Sequence, residues 1–244
     1  MRRAVVASAA LFALLLPLAG AGATGITVYA AASLTQVFPR IDHAPRYSFA
    51  GSDQLAAQIR AGAPAAVFAS ASPKQTELLY HDGLLRKPVM FATNKLTVIV
   101  PRSNPAHVHS VYDVRRHGVK VIVGTPTVPV GAYTQQVLDS LGIKTSVTAN
   151  VVDQEPDVKS IVAKIALGVG DAGFVYKTDA RPAGKKVTSI LIPAWAQPPI
   201  RYEIGIVKAS KHRVAAAAFI KRVTSLRGRR LLVQAGFGLP KSPR

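Results

Sequence analysis

Short β-rich runs alternate with helix-like segments along nearly the whole chain, and this alternation restricts the fold more than any other feature. Ile26–Ala30, Tyr47–Ala50, Ala66–Ala69, Lys95–Val100, Val119–Val123, Ala172–Tyr176 and Ile204–Val207 read as strands. Between them, Asp53–Ala61, Pro73–Tyr80, Tyr133–Leu141, Asp157–Leu167 and Val214–Leu226 carry apolar residues at helical spacing, and Gly62, Gly142 and Gly168 follow three of them as stop signals. Val147–Val152 is expected to be extended. Strands separated by helices imply sheets of mainly parallel strands covered by helices, so the expected class is α/β.

The chain has the material for such a core. Of its 244 residues, 49% are hydrophobic and only 18% charged, which excludes intrinsic disorder. The length fits one large domain or two small ones. With no cysteine, disulfides, zinc fingers, iron–sulfur clusters, thiol catalysis and a lipid-modified N-terminal cysteine are all excluded. The formal net charge of +19 points to an anionic partner: a nucleic acid, an anionic membrane or a small anion.

Residues 1–23 read as a secretory signal peptide. Arg2 and Arg3 form a basic start, Ala4–Leu18 is apolar, and Ala21-Gly22-Ala23 is a signal-peptidase pattern with cleavage expected after Ala23. The run is shorter than the ~20 apolar residues of a membrane-spanning helix. Removing its two arginines from the +19 leaves +17 on the mature chain. That chain is expected in the periplasm or secreted, and not as a lipoprotein.

Enzyme signatures are thin. Gly20-Ala-Gly22-Ala-Thr-Gly25 precedes the first strand, and Gly168-Val-Gly170-Asp-Ala-Gly173 runs from a helix into a strand, so neither suits a dinucleotide. No G-x-S-x-G elbow, H-E-x-x-H pair or phosphate-binding G-K-[ST] loop occurs. His107 and His109 are the only close histidine pair and read as a solvated loop. Asp153, Glu155, Asp157 and Asp171 fall mainly in turns rather than in a glycosidase-like pair. The expectation is a protein that is not an enzyme and carries no cofactor.

Hydroxyls at helix starts stand out instead. Ser33 opens a capping-box pattern with Gln36, and Ser52 opens the next helix. Both follow strands, and in a parallel sheet that places them at the carboxyl edge where ligands bind. A helix N-terminus offers unpaired N–H groups and a partial positive charge that attract an oxyanion. Equally, both serines can be ordinary N-caps, each stabilising a helix by ~1 kcal/mol.

Several blocks together resemble the periplasmic molybdate-binding proteins of ABC importers. They are Ala30-Ala-Ala-Ser33-Leu-Thr35, Phe49-Ala-Gly-Ser52, Gly62–Ala71, Asn94-Lys-Leu96, Val128-Pro-Val130-Gly-Ala-Tyr133, Gly173–Ala180, Pro199-Ile-Arg-Tyr202 and Ala235-Gly-Phe237. Each block is weak alone, but they run in family order over essentially the whole mature chain. The resemblance implies a two-lobed periplasmic-binding-protein fold, each lobe a mainly parallel sheet flanked by helices, with a hinge between them. It implies lobe I from 24–97 and 207–244 and lobe II from 98–206, with crossings near Thr97 and Ile206. It also implies that one oxyanion, molybdate or tungstate, is held by Ser33 and Ser52 from lobe I. Val130, Val158 and Tyr176 would hold it from lobe II, the two valines through backbone N–H groups.

The partners so implied are the small oxyanion and a membrane permease with its ATPase; the receptor is expected to be a monomer that binds no nucleic acid. A site of neutral donors suits a fully deprotonated, reversibly released dianion, because no unpaired buried cation remains after release. Two positions depart from the family pattern. Asp53 stands where Gly-Ser-Gly is usual and is expected to face solvent in the first helical turn, while Val130 replaces a common alanine and narrows the pocket. Alternatives are a receptor for sulfate or another oxyanion, and a cationic exported surface or nucleic-acid-binding protein. Basic clusters at Arg115–His117 and Arg227–Arg230 motivate the second alternative.

Overall fold

A computed structural model describes residues 25–240, so the proposed signal peptide lies outside the described residues. The chain runs β1 (Thr27–Ala31), α1 (Phe38–Ile41), β2 (Arg46–Ala50), α2 (Ser52–Arg60), β3 (Val67–Ser70), α3 (Pro73–His81) and β4 (Val89–Asn94). It continues through β5 (Leu96–Pro101), β6 (Val121–Gly124), α4 (Pro129–Ser140), α5 (Lys144–Ala149), β7 (Val151–Glu155), α6 (Val158–Ala166), β8 (Ala172–Tyr176) and α7 (Lys177–Ala180). It ends with β9 (Val187–Ile190), β10 (Ile200–Ile206), α8 (Arg213–Thr224) and α9 (Leu226–Gln234).

Two five-stranded sheets result, ordered β2-β1-β3-β10-β4 and β7-β6-β8-β5-β9. In the first, β1 pairs parallel with β2 and β3, while β10 runs antiparallel to β3 and β4. In the second, β6 pairs parallel with β7 and β8, while β5 runs antiparallel to β8 and β9. In each sheet four of the five strands therefore run the same way and one is reversed, β10 in the first and β5 in the second. The fold is two-lobed α/β.

Burial explains how the helices cover the sheets. In α2, Ser52, Leu55, Ala56 and Ile59 are buried at helical spacing; in α6, Val158, Ile161 and Ile165 are. The first sheet is covered on both faces. Leu55, Ile59, Phe68 and Leu79 form one core cluster there, whereas the adjacent β3 residue Val67 joins the main core. On that second face Phe38 of α1 meets Phe219 of α8 edge-on with ring centroids 5.5 Å apart.

The structure revises several expectations. Val147–Val152 is only partly extended: its first three residues lie in α5, and β7 begins at Val151. The terminal helix is two, because Ser225 leaves helical geometry and caps α9, its Oγ accepting the Gly228 N–H at 3.1 Å. The chain crosses between sheets at Lys95, between β4 and β5, and returns between Ile190 and Ile200. The return thus precedes the expected Ile206, because Ile200–Ile206 inserts between β3 and β4 of the first sheet. Gln197 ties the two crossings together: its Oε1 accepts the Leu96 N–H at 2.9 Å and its Nε2 donates to the Leu96 carbonyl at 2.8 Å.

Candidate functional site

The carboxyl ends of parallel strands from both sheets converge on one cavity. Ser33, Ser52, Val130, Val158 and Tyr176 all line it, and each is at most 3% exposed. None of the lining residues is Lys or Arg. The position accords with the rule that α/β sheets bind ligands at the carboxyl edges of their strands.

Neither serine is an N-cap. Ser33 lies inside a single 3₁₀ turn, Ala32–Leu34, and makes no capping bond. Its Oγ instead meets the Tyr202 hydroxyl at 2.8 Å. Ser52 is the first residue of α2, after Gly51 at the cap position, and its Oγ accepts the Ala71 N–H at 3.1 Å. Each serine is held from behind by another part of the first lobe. The Ser52 hydroxyl proton is left over by that contact, since its oxygen serves as an acceptor.

The second lobe contributes two helix starts. Pro129 opens α4 and carries no N–H, so Val130 supplies the first backbone donor of that helix. Gly131 lets this turn sit close to β6: a Cβ there would stand 2.0 Å from the Thr125 carbonyl oxygen. In α6 the cap is Asp157, whose Oδ1 accepts the N–H groups of Lys159 and Ser160 at 2.7 and 3.1 Å. The N–H of Val158 lies outside that cap. Tyr176 ends β8, and its hydroxyl is buried without a hydrogen-bond partner among the described residues. Burial first, and then the neighbouring Tyr202, Tyr133 and Asp179, push its pKa well above the usual tyrosine value, so it remains a donor.

Electrostatics near the cavity come from dipoles rather than free charges. Lys159, near the start of α6, is committed to the fully buried Asp179 at 2.8 Å. Burial raises the Asp179 pKa while Lys159 opposes that rise. Asp53 does not face solvent as expected. It is half-buried in the first turn of α2, and its Oδ2 accepts the Thr127 hydroxyl of the opposite lobe at 2.7 Å. Beside it, a Cβ on Gly51 would stand 2.5 Å from the Pro156 carbonyl oxygen, so the lobes meet backbone to side-chain space here. Thr127 and Tyr202 were beyond reach from sequence, since their partners lie 74 and 169 residues away. Among the described residues no group of three or more His, Cys, Asp or Glu side chains could hold a metal ion.

Residues 26–238 match the family described as bacterial extracellular solute-binding protein. The chain is 37% identical over 229 residues to the molybdate-binding protein ModA of Mycobacterium tuberculosis, covering 90% of this chain and 86% of that protein. It is similar to the substrate-binding domain of a putative molybdenum ABC transporter from Clostridium difficile, with 28% identity, a TM-score of 0.64 and coverage of 89% and 99% of the two chains. The fold also matches a periplasmic molybdate-binding protein of Azotobacter vinelandii, with a TM-score of 0.79 at 24% identity, over 88% of this chain and 100% of the other. These relatives are solute-binding proteins, not enzymes.

Proposed function

The chain belongs to the bacterial extracellular solute-binding protein family, and from that premise we propose that it captures molybdate for an ABC importer. It binds tungstate, of like charge and shape, in the same way, and passes its load to a membrane permease driven by an ATPase. It acts as an exported monomer outside the cytoplasmic membrane. The observation that carries this reading is a cavity lined by Ser33, Ser52 and Tyr176 and by the starts of α4 and α6, with no Lys or Arg.

In the proposed site, the hydroxyls of Ser33, Ser52 and Tyr176 and the N–H groups of Val130 and Val158 donate to the oxyanion. Hydrogen bonds to a charged group contribute about 1.5–3 kcal/mol each, so five of them offset much of the cost of drying a dianion. Helix starts add the favourable ends of their dipoles. Donors alone also disfavour a protonated phosphate, whose O–H would need an acceptor. The oxygens of Asp157 are already engaged by Lys159, and by Ser160 through both N–H and hydroxyl. Donors from both lobes make ligand binding and lobe closure one event.

Titration calorimetry with molybdate tests the assignment. A single tight site, matched by tungstate and competed weakly by sulfate and phosphate, is expected. Absence of heat with both molybdate and tungstate overturns it, and preference for sulfate reassigns the ligand.

A further inference from the structure

Behind Ser33 lies a buried chain of hydrogen bonds whose direction can be worked out atom by atom. Asn94, at the end of β4, uses its Oδ1 to accept the Lys95 N–H at 2.9 Å. Its Nδ2 then donates one proton to the Thr178 hydroxyl at 2.9 Å and the other to the Tyr202 hydroxyl at 3.2 Å. An amide nitrogen only donates, so the Tyr202 oxygen is an acceptor in that contact. The single phenolic proton is then free for the other neighbour, Ser33 Oγ, at 2.8 Å. With its oxygen receiving that proton, Ser33 turns its own toward the cavity it lines.

From this geometry we propose that Tyr202 is a positioning residue, fixing Ser33 as a hydrogen-bond donor to the bound oxyanion. The inference rests on the oxyanion reading of the cavity. Tyr202 does for Ser33 what the Ala71 N–H does for Ser52: each supplies a proton from behind, so that the serine presents its own in front. Tyr202 is fully buried and packs edge-on against Tyr176 and Phe237, with centroids 6.0 and 5.3 Å away, so the phenol has little freedom to swing. Burial raises its pKa, which keeps the proton in place. The chain is anchored at the crossing between lobes, because Asn94 belongs to β4 and Thr178 to α7 beside the second sheet.

A double-mutant cycle tests this. Molybdate is titrated into the wild type, Tyr202→Phe, Ser33→Ala and the double variant, with a thermal melt of each unliganded protein. Tyr202→Phe is expected to raise Kd about tenfold. In the Ser33→Ala background the same change should add little, since its route of action is gone. Equal binding by Tyr202→Phe, or penalties that multiply in the double variant, overturn the proposal. Asn94→Asp supplies a second arm if the phenylalanine variant does not fold. Its carboxylate accepts a hydrogen bond from the Tyr202 hydroxyl, Tyr202 then accepts from Ser33, and the serine proton turns away from the cavity. Kd should again rise, and the rise should vanish with Ser33→Ala; a rise that persists there reflects charge alone and counts against the relay. Should the wild type take neither molybdate nor tungstate, the functional reading fails with it, a result distinct from a binding wild type whose variants bind equally well.

Discussion

At the scale of single residues, the proposed site is built from hydrogen-bond donors. Tyr176 is the clearest case, a buried hydroxyl with no partner among the described residues. Tyr176→Phe removes one donor and nothing else, and should weaken molybdate binding by about 1.5–3 kcal/mol, roughly ten- to hundredfold in Kd, by calorimetry. The same burial has a pH signature. Tyr176 and Tyr202 are both held above the ordinary tyrosine value of 10.0. Above that pH the unfolded chain loses protons that the folded chain keeps, so stability is full below pH 10 and falls as pH rises beyond it. Urea unfolding at neutral pH and at pH about 11 should show the loss. The five proposed oxyanion ligands follow from the resemblance: Ser33, Ser52, Val130 and Tyr176 sit in its blocks, such as Val128-Pro-Val130-Gly, and Val158 at the helix opening after Asp157. Their supporting contacts do not, since the hydroxyl behind Ser33 belongs to a tyrosine 169 residues later.

At the scale of elements, two helix starts carry the second lobe's share of the site. Gly131→Ala would drive a methyl group into the Thr125 carbonyl and push α4 off β6. A loss of about 1–3 kcal/mol is expected in the unfolding free energy, together with weaker binding. Asp157→Ala should cost about 1 kcal/mol through the lost α6 cap, whereas Asp157→Asn should keep most of it; chemical denaturation separates the two. Strands with unbroken buried runs were legible, and β8 falls at its expected residues Ala172–Tyr176. The weaker elements were not. In α5, Lys-Thr-Ser-Val-Thr-Ala has the β-branched composition of a strand, yet it folds as a helix with Val147 buried beneath it. The four residues of β9 are buried only at their two ends, which leaves almost no periodicity to read.

At the scale of the whole molecule, α2 meets the loops of the other lobe. Gly51→Ala places a methyl group 2.5 Å from the Pro156 carbonyl oxygen across the cleft, so it should raise the molybdate Kd while leaving the melting temperature of the unliganded protein nearly unchanged. Thr127→Val removes the hydrogen bond to Asp53 and should raise Kd several-fold, about 0.5–1.5 kcal/mol, by the same route. X-ray scattering with and without molybdate should show a contraction that both variants reduce. The two-lobed plan was legible from the order of blocks along the chain, but the return crossing was not, because Ile200–Ile206 looks like any strand until its neighbours are known. Those neighbours carry a consequence for the order of assembly. β4 pairs within its sheet only with β10, and β10 is the last strand to be made, whereas the second sheet draws all its strands from residues 96–190. A growing chain therefore carries an orphan strand and an open edge on β3 until synthesis is nearly finished.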